Sequence, residues 1–121
     1  MRQIYAVLAW GIIILGVVHM LATFRLGALT MSTLWFFDGG VVLVLTGALN
    51  LLNRTYGASA RGLRWCCVGT NVATMILSLV AGIVGHASGG QVVTVVGWFA
   101  ATTLVSQTRA AAGAGRESGA V

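Results

Sequence analysis

Three side chains of this sequence can titrate or ligate and also lie within strongly apolar stretches: His19, Asp38 and His86. Such side chains are costly in lipid, and they are therefore the first candidates for a functional site. Two imidazoles and a carboxylate can bind a transition metal such as zinc or copper, or relay protons near neutral pH. Two histidines on neighbouring helices can also ligate a haem iron. The three residues follow no regular ligand spacing, so structural roles near helix ends are slightly favoured over a ligand site.

The elements that must position these residues are predicted by the apolar composition. Hydrophobic residues make up 58% of the 121 positions and charged residues 7%, which is too little polar surface for a soluble domain. The apolar residues fall into four runs, each close to the roughly 20 residues that an α-helix needs to cross a bilayer. We predict an all-α fold, an antiparallel bundle of four transmembrane helices. The helices are expected at 4–22, 33–53, 63–86 and 91–107, in a single domain that covers residues 1–108.

The basic residues predict how the chain is oriented in the membrane. Of seven arginines, only Arg25 falls on one side of the four predicted spans. Short cytoplasmic segments are enriched in arginine and lysine, so the other side should be cytoplasmic and both termini should lie there. The chain is thus expected to be a multi-pass protein of the bacterial inner (plasma) membrane. Residues 109–121 are rich in alanine and glycine and are expected to form a disordered cytoplasmic tail. The arginines on the cytoplasmic side are Arg2, Arg54, Arg61, Arg64, Arg109 and Arg116.

This topology predicts that the three titratable residues share the outer layer of the bundle. The first helix ends just after His19, the second begins just before Asp38, and the third ends at His86. Gln91 and Thr94 at the start of the fourth helix would complete a polar ring around them. The resulting outward-facing cluster is the predicted site. The expected cofactor is none, and a metal or haem held by the histidines and Asp38 is the alternative.

Small and polar side chains predict where the helices meet, because helices in lipid gain little from burying apolar surface against each other. Asn50 and Asn53 on the second helix and Asn71 on the third fall in the cytoplasmic half. Their amides can bridge the two helices by hydrogen bonds. Thr46 and Ser78 complete this set of predicted polar contacts, and a structural role is favoured for all five.

Other side chains near the cytoplasmic ends have simpler interpretations. Tyr5 is expected to anchor the first helix at the membrane interface. Adjacent Cys66 and Cys67 lie where thiols stay reduced, and they are either small apolar residues or a site of acylation. The packing face of the fourth helix is predicted from a seven-residue repeat of Thr94, Ala101 and Thr108.

Parts of the first two helices carry a resemblance to known proteins. The segments concerned are residues 16–23 (GVVHMLAT), 34–40 (LWFFDGG) and 47–53 (GALNLLN). They resemble the first two helices of small four-helix bacterial membrane proteins that have no assigned function. The resemblance implies the four-helix topology and nothing about activity. In size the chain is also similar to the small multidrug resistance transporters, but its first helix lacks the acidic residue that those proteins require.

The sequence contains no motif for catalysis or nucleotide binding, and a non-enzymatic role is the favoured interpretation. The net charge of +5 comes from arginines at helix ends, which does not indicate a nucleic-acid surface. Expected partners are the lipid bilayer and either further copies of the chain or other membrane subunits. The first alternative is a proton-coupled small transporter or ion pathway that uses Asp38 and the histidines. The second is a metal- or haem-dependent redox protein.

Overall fold

A computed structural model describes residues 1–25, 27–28 and 30–108 of the chain. The helices in this part are α1 (Arg2–Phe24), α2 (Met31–Tyr56), α3 (Arg61–Val84) and α4 (Gly89–Ser106). The prediction of an all-α fold is confirmed, since no strand occurs among these residues. The predicted disordered tail, residues 109–121, lies outside the described residues.

Each helix is long and apolar enough to cross a membrane. The helices have 23, 26, 24 and 18 residues, which corresponds to about 27 to 39 Å at about 1.5 Å per residue. A hydrocarbon core is about 30 Å thick. The chain therefore has the four candidate spans that the apolar runs predict.

Side-chain caps define where two of the helices begin. Thr30 and Thr33 form a reciprocal capping box at the start of α2, and Ser88 and Gln91 form one at the start of α4. Both helices consequently begin two residues before the predicted positions. The third helix ends at Val84, two residues earlier than predicted, so that His86 lies in the turn that follows.

Glycine positions allow α1 and α2 to approach closely. A Cβ atom added to Gly16 would lie 2.7 Å from the carbonyl oxygen of Gly40, and one added to Gly47 would lie 2.8 Å from that of Ala9. Neither distance is compatible with a side chain, so glycine is needed for the backbones to make contact. Ala9 thus faces Gly47, and Gly16 faces Gly40, so that the residue number on α2 falls as the number on α1 rises. These two helices therefore run in opposite directions.

The distribution of side chains is the reverse of that in a soluble protein. Polar residues outnumber apolar ones among the buried side chains of the described part of the chain. A small apolar cluster of Ile12, Leu43 and Phe99 joins α1, α2 and α4. Large apolar side chains are exposed along every helix, for example Ile14, Leu45, Ile76 and Val93. An apolar exterior of this extent indicates a surface that contacts lipid. The buried polar residues are Thr33, Thr46, Asn50, Asn53, Asn71, Thr74, Thr102 and Ser106.

Candidate functional site

His19 lies between α1 and α2 and packs against an aromatic ring. Its imidazole stacks on Phe36, with ring centroids 3.6 Å apart and an angle of 21° between the ring planes. Gly39 lies beside the ring, and a Cβ atom there would be in ordinary van der Waals contact with Nε2 of His19, at 3.5 Å. The imidazole is half-buried. His19 is thus held by apolar packing near the end of α1 and the start of α2.

Asp38 and His86 are both exposed, and they lie on different elements. Asp38 is the eighth residue of α2 and makes no hydrogen bond or ion pair within the described part of the chain. His86 follows the end of α3 with a positive φ of 52°, a conformation that non-glycine residues adopt mainly in tight turns. Its backbone N–H donates to the carbonyl oxygen of Ile83 at 3.3 Å.

The structure does not bring these residues together as a ligand set. Among residues 1–25, 27–28 and 30–108, no three His, Cys, Asp or Glu side chains are grouped so that they could hold a metal ion. The residues expected to complete the ring bond locally instead. Gln91 accepts a hydrogen bond from the Ser88 N–H at 3.0 Å, and Thr94 donates to the Gly90 carbonyl at 2.8 Å. Both side chains therefore serve the first turn of α4.

The side chains that do converge form a buried network at the other end of the bundle. The hydroxyl of Tyr5 donates to Oδ1 of Asn50 at 2.9 Å and accepts from Nδ2 of Asn53 at 2.9 Å. Tyr5, Asn50 and Asn53 are completely buried. The expectation that Tyr5 is an interfacial anchor was wrong, because its ring and hydroxyl point between the helices.

A reciprocal amide pair links α2 to α3 in this network. Nδ2 of Asn50 donates to Oδ1 of Asn71 at 2.7 Å, and Nδ2 of Asn71 donates back to Oδ1 of Asn50 at 3.0 Å. Nδ2 of Asn50 also donates to the carbonyl oxygen of Thr46 at 2.8 Å. The hydroxyls of Thr46 and Thr74, 3.1 Å apart, extend the contact towards the middle of both helices. Ser78, the remaining predicted contact, is half-buried on α3.

Cys67 adds a thiol group to the network. The buried thiol of Cys67 donates to Oδ1 of Asn50 at 3.2 Å and lies 3.6 Å from the Tyr5 hydroxyl. Ser106 of α4 is completely buried and donates to the carbonyl oxygen of Thr103 at 2.6 Å. Side chains of α1, α2 and α3 therefore meet around Tyr5 and Asn50. Neighbouring Cys66 is exposed, so the two adjacent thiols occupy different environments.

The network consists of neutral groups, which limits its chemistry. It contains hydroxyl, amide and thiol groups, and the two histidines and Asp38 take no part in it. Interhelical hydrogen bonds in lipid stabilise by about 0.6 kcal/mol on average, and they favour one packing arrangement over others. Oδ1 of Asn53 is buried without a hydrogen-bond partner and is directed at Gly57, which has no side chain to displace it. The arrangement is suited to fixing the helices relative to one another.

Next to the network, two arginines are held by backbone carbonyl groups. Nε of Arg54 donates to the carbonyl oxygen of Arg2 at 3.2 Å, and Nη2 of Arg64 donates to that of Gly57 at 3.1 Å. The first bond joins the end of α2 to the start of α1, and the second joins it to the start of α3. Several arginines are thereby gathered at one end of the bundle.

The network contains two central residues that the sequence pattern does not predict, Tyr5 and Cys67. A usable signal exists for Tyr5, which lies at the start of the predicted first helix just as Asn53 lies at the end of the predicted second helix. Residues at equal depth on neighbouring helices can bond to each other. No comparable signal distinguishes Cys67 from Cys66. The sequence matches no protein-family model, and neither a curated protein nor a solved structure matches it significantly.

Proposed function

We propose that this chain is a non-enzymatic subunit of the bacterial inner (plasma) membrane that associates with a second copy of itself. In this proposal the four helices form an antiparallel bundle with both termini in the cytoplasm. The network around Asn50 makes each copy a rigid unit, and the opposite end of the bundle makes the contact. Association with a different membrane subunit is the alternative. The proposal rests on the position of Asp38.

Asp38 presents a carboxylate on an otherwise apolar surface. It is exposed and close to Trp35 and Val42, which are also exposed. Asp38 lies about 10 Å along the axis of α2 from the first residue of the helix. In a helix that spans the membrane, this position is near the edge of the hydrocarbon core. A charged side chain facing lipid costs up to about 3 kcal/mol at the bilayer centre, and such residues normally pair with a cation. The described residues of the same chain supply no such partner.

A second copy offers a matching cation. Arg25, at the end of α1, and His86, after α3, belong to the same end of the bundle as Asp38. Both are exposed and neither forms an ion pair with a described residue. In a two-fold symmetric dimer, Asp38 of each copy can pair with Arg25 of the other, so that a single type of contact is made twice. Both carboxylates would then be neutralised at one interface.

The test measures dimer formation in vesicles of defined lipid by single-molecule photobleaching. Asp38→Asn and Arg25→Gln should each weaken association by about tenfold, which corresponds to about 1.4 kcal/mol. The exchange Asp38→Arg with Arg25→Asp should restore it, because the pair is re-formed with its charges reversed. Arg2→Gln, at the opposite end, is the matched control and should have no effect. A wild-type chain that stays monomeric at every density would rule out the second copy as partner.

The geometry gives less support to a proton-coupled pathway. A pathway needs titratable groups in a continuous interior chain, whereas Asp38 is exposed and His19 stacks on Phe36. Flux measured in vesicles under a pH gradient separates the two functions. Flux that Asp38→Asn abolishes without changing the dimer fraction would favour transport.

The redox alternative predicts a bound metal or a haem absorption band in the purified protein. Its loss in the double variant His19→Ala with His86→Ala would favour that alternative.

A further inference from the structure

The end of the bundle opposite Asp38 carries a concentrated positive charge. We call Arg2, Arg54, Arg61 and Arg64 the arginine face. The hydrogen bond from Arg54 to the Arg2 carbonyl brings the start of α1 to the end of α2. The bond from Arg64 to the Gly57 carbonyl brings the start of α3 to the same place. Residues from three helix ends thus contribute to a single surface.

No acidic side chain in the described part of the chain neutralises this face. The chain has two acidic residues, Asp38 and Glu117. Asp38 lies at the other end of the bundle, and Glu117 is outside the described residues. None of the four arginines forms an ion pair within residues 1–25, 27–28 and 30–108. The face therefore carries unneutralised charge where three helix ends meet.

Two of these guanidinium groups are held in place while part of their hydrogen-bonding capacity stays unused. A guanidinium has five N–H donors. Arg54 uses Nε to bond the Arg2 carbonyl, so both of its Nη groups are available to an oxyanion. Arg64 uses one Nη2 donor on Gly57 and has its Nε buried, which leaves both Nη1 donors and the second Nη2 donor. Guanidinium groups that are held in place and keep pairs of unused N–H donors are well suited to bind phosphate oxygens.

The start of α3 adds to the attraction for an anion. Ala60 precedes α3 and provides no side-chain cap, whereas α2 and α4 both begin with capping boxes. Gly62 in the first turn has open space where a side chain would be. Backbone N–H groups at a helix start carry partial positive charge and bind anions. Here they lie beside Arg61 and Arg64, whose charges act in the same direction.

The surroundings of the arginine face indicate a lipid and not a soluble anion. Tyr56 is 56% exposed and Trp65 is 66% exposed, and both flank the arginines. Exposed tyrosine and tryptophan side chains are typical of the headgroup level of a membrane. Leu52, one turn further into α2, is 49% exposed and begins the apolar surface along which acyl chains would lie. A ligand with a phosphate group and an apolar tail matches both the arginine face and the apolar surface next to it.

We propose that the arginine face binds the phosphate headgroup of an anionic phospholipid, with Arg54, Arg61 and Arg64 as the contacts and Trp65 beside the glycerol region. The binding is selective for acidic lipid over zwitterionic lipid, because the face carries several positive charges and no negative one. It does not depend on the pairing of Asp38 at the opposite end. The two proposals can therefore fail independently.

The test measures how the purified protein distributes between lipids in mixed vesicles. Brominated phosphatidylglycerol and brominated phosphatidylcholine quench tryptophan fluorescence when they are adjacent to the protein, and their ratio gives the relative affinity. The wild-type chain should prefer phosphatidylglycerol, and each arginine removed should reduce the preference roughly fivefold. Arg54→Gln with Arg64→Gln should reduce it about 25-fold. Arg61→Gln, which removes no described hydrogen bond, should reduce it even if the double variant fails to fold.

Gln3→Ala is the matched control, since Gln3 is exposed and uncharged next to Arg2, and it should leave the preference unchanged. Raising the salt concentration should weaken the preference, as expected of a headgroup contact. Equal quenching by the two lipids in wild type would overturn the proposal, and so would an unchanged preference in Arg61→Gln. Inorganic phosphate that removes the preference at millimolar concentration would show a site for free phosphate instead of lipid.

Discussion

The amide oxygen of Asn50 accepts hydrogen bonds from three side chains, Tyr5 on α1 and both Cys67 and Asn71 on α3. It is the most heavily used acceptor of the buried network. Replacing one donor leaves the others in place, so the network should lose stability in steps. A loss is larger where it leaves a buried partner unpaired.

Tyr5→Phe is expected to destabilise the bundle by about 1 kcal/mol. The substitution keeps the ring but removes the hydroxyl, which leaves Nδ2 of Asn53 without its acceptor. Tyr56→Phe is the matched control, because Tyr56 is 56% exposed and has no hydrogen bond in the network. The measurement is the unfolding midpoint of each variant in mild detergent with increasing denaturing detergent. Equal midpoints for the two variants would mean that the Tyr5 hydroxyl bonds are not stabilising.

For single residues, the sequence indicates which side chains form polar contacts more reliably than it indicates where those contacts lie. Asn50, Asn53 and Asn71 were predicted to form interhelical contacts, since an amide in an apolar helix needs a partner. Tyr5 was assigned to the interface because a tyrosine near a helix end is suited to two places, the headgroup level and a buried polar contact. The rotation of α1 decides between them. Val7, two residues further along α1, is 68% exposed, and a tyrosine at that position would face lipid.

The packing of α1 against α2 depends on glycine and is the most specific helix contact of the bundle. Gly40→Ala is expected to destabilise the protein by about 1 to 3 kcal/mol, because the added methyl group would meet the Gly16 carbonyl at 2.8 Å. Gly69→Ala on α3 is the matched control, since nothing lies within 4 Å of its Cβ position. There, alanine should be neutral or stabilising by up to about 1 kcal/mol.

The measurement is again the unfolding midpoint, with the helix content of both variants checked by circular dichroism. Because both substitutions have the same effect on helix propensity, their difference isolates the contact with α1. If Gly40→Ala were as stable as Gly69→Ala, the close approach of α1 and α2 would not exist in the folded protein.

The rotation of α4 shows why helix faces were harder to predict than helix positions. The seven-residue repeat suggested a packing face at Thr94, Ala101 and Thr108, whereas the buried residues of α4 are Phe99, Thr102 and Ser106. The repeat was misleading because threonine hydroxyls in a helix can bond their own backbone. Thr94 bonds the Gly90 carbonyl in this way and needs no partner on another helix. A threonine therefore does not indicate the inner face as an asparagine does.

At the scale of the whole molecule, charge and polarity are sorted along the bundle and across it. Across it, polar side chains are inside and apolar ones outside, as a lipid solvent requires. Along it, the arginine face lies at one end, while Asp38, Arg25 and His86 lie at the other. Length and composition alone sufficed to predict four spans, because the bilayer thickness sets the length of a helix. Convergence of His19, Asp38 and His86 depended on helix rotation and on where α3 ends, which composition does not determine.

The asymmetry of arginine predicts the orientation of the bundle. A fluorescent protein fused after Val121 should be bright, and alkaline phosphatase fused there should be inactive, because the first folds in the cytoplasm and the second requires an oxidising compartment. The same phosphatase inserted between Ala87 and Ser88, in the turn that joins α3 to α4, should be active. Reversed activities would place the arginine face outside.

Substituting Arg54, Arg61 and Arg64 with glutamine while adding arginines beside Arg25 should invert the pattern, since the basic residues then favour the opposite side. An unchanged pattern in that variant would mean that these charges do not set the orientation, and that the fit of the spans within the bundle or the first helix does.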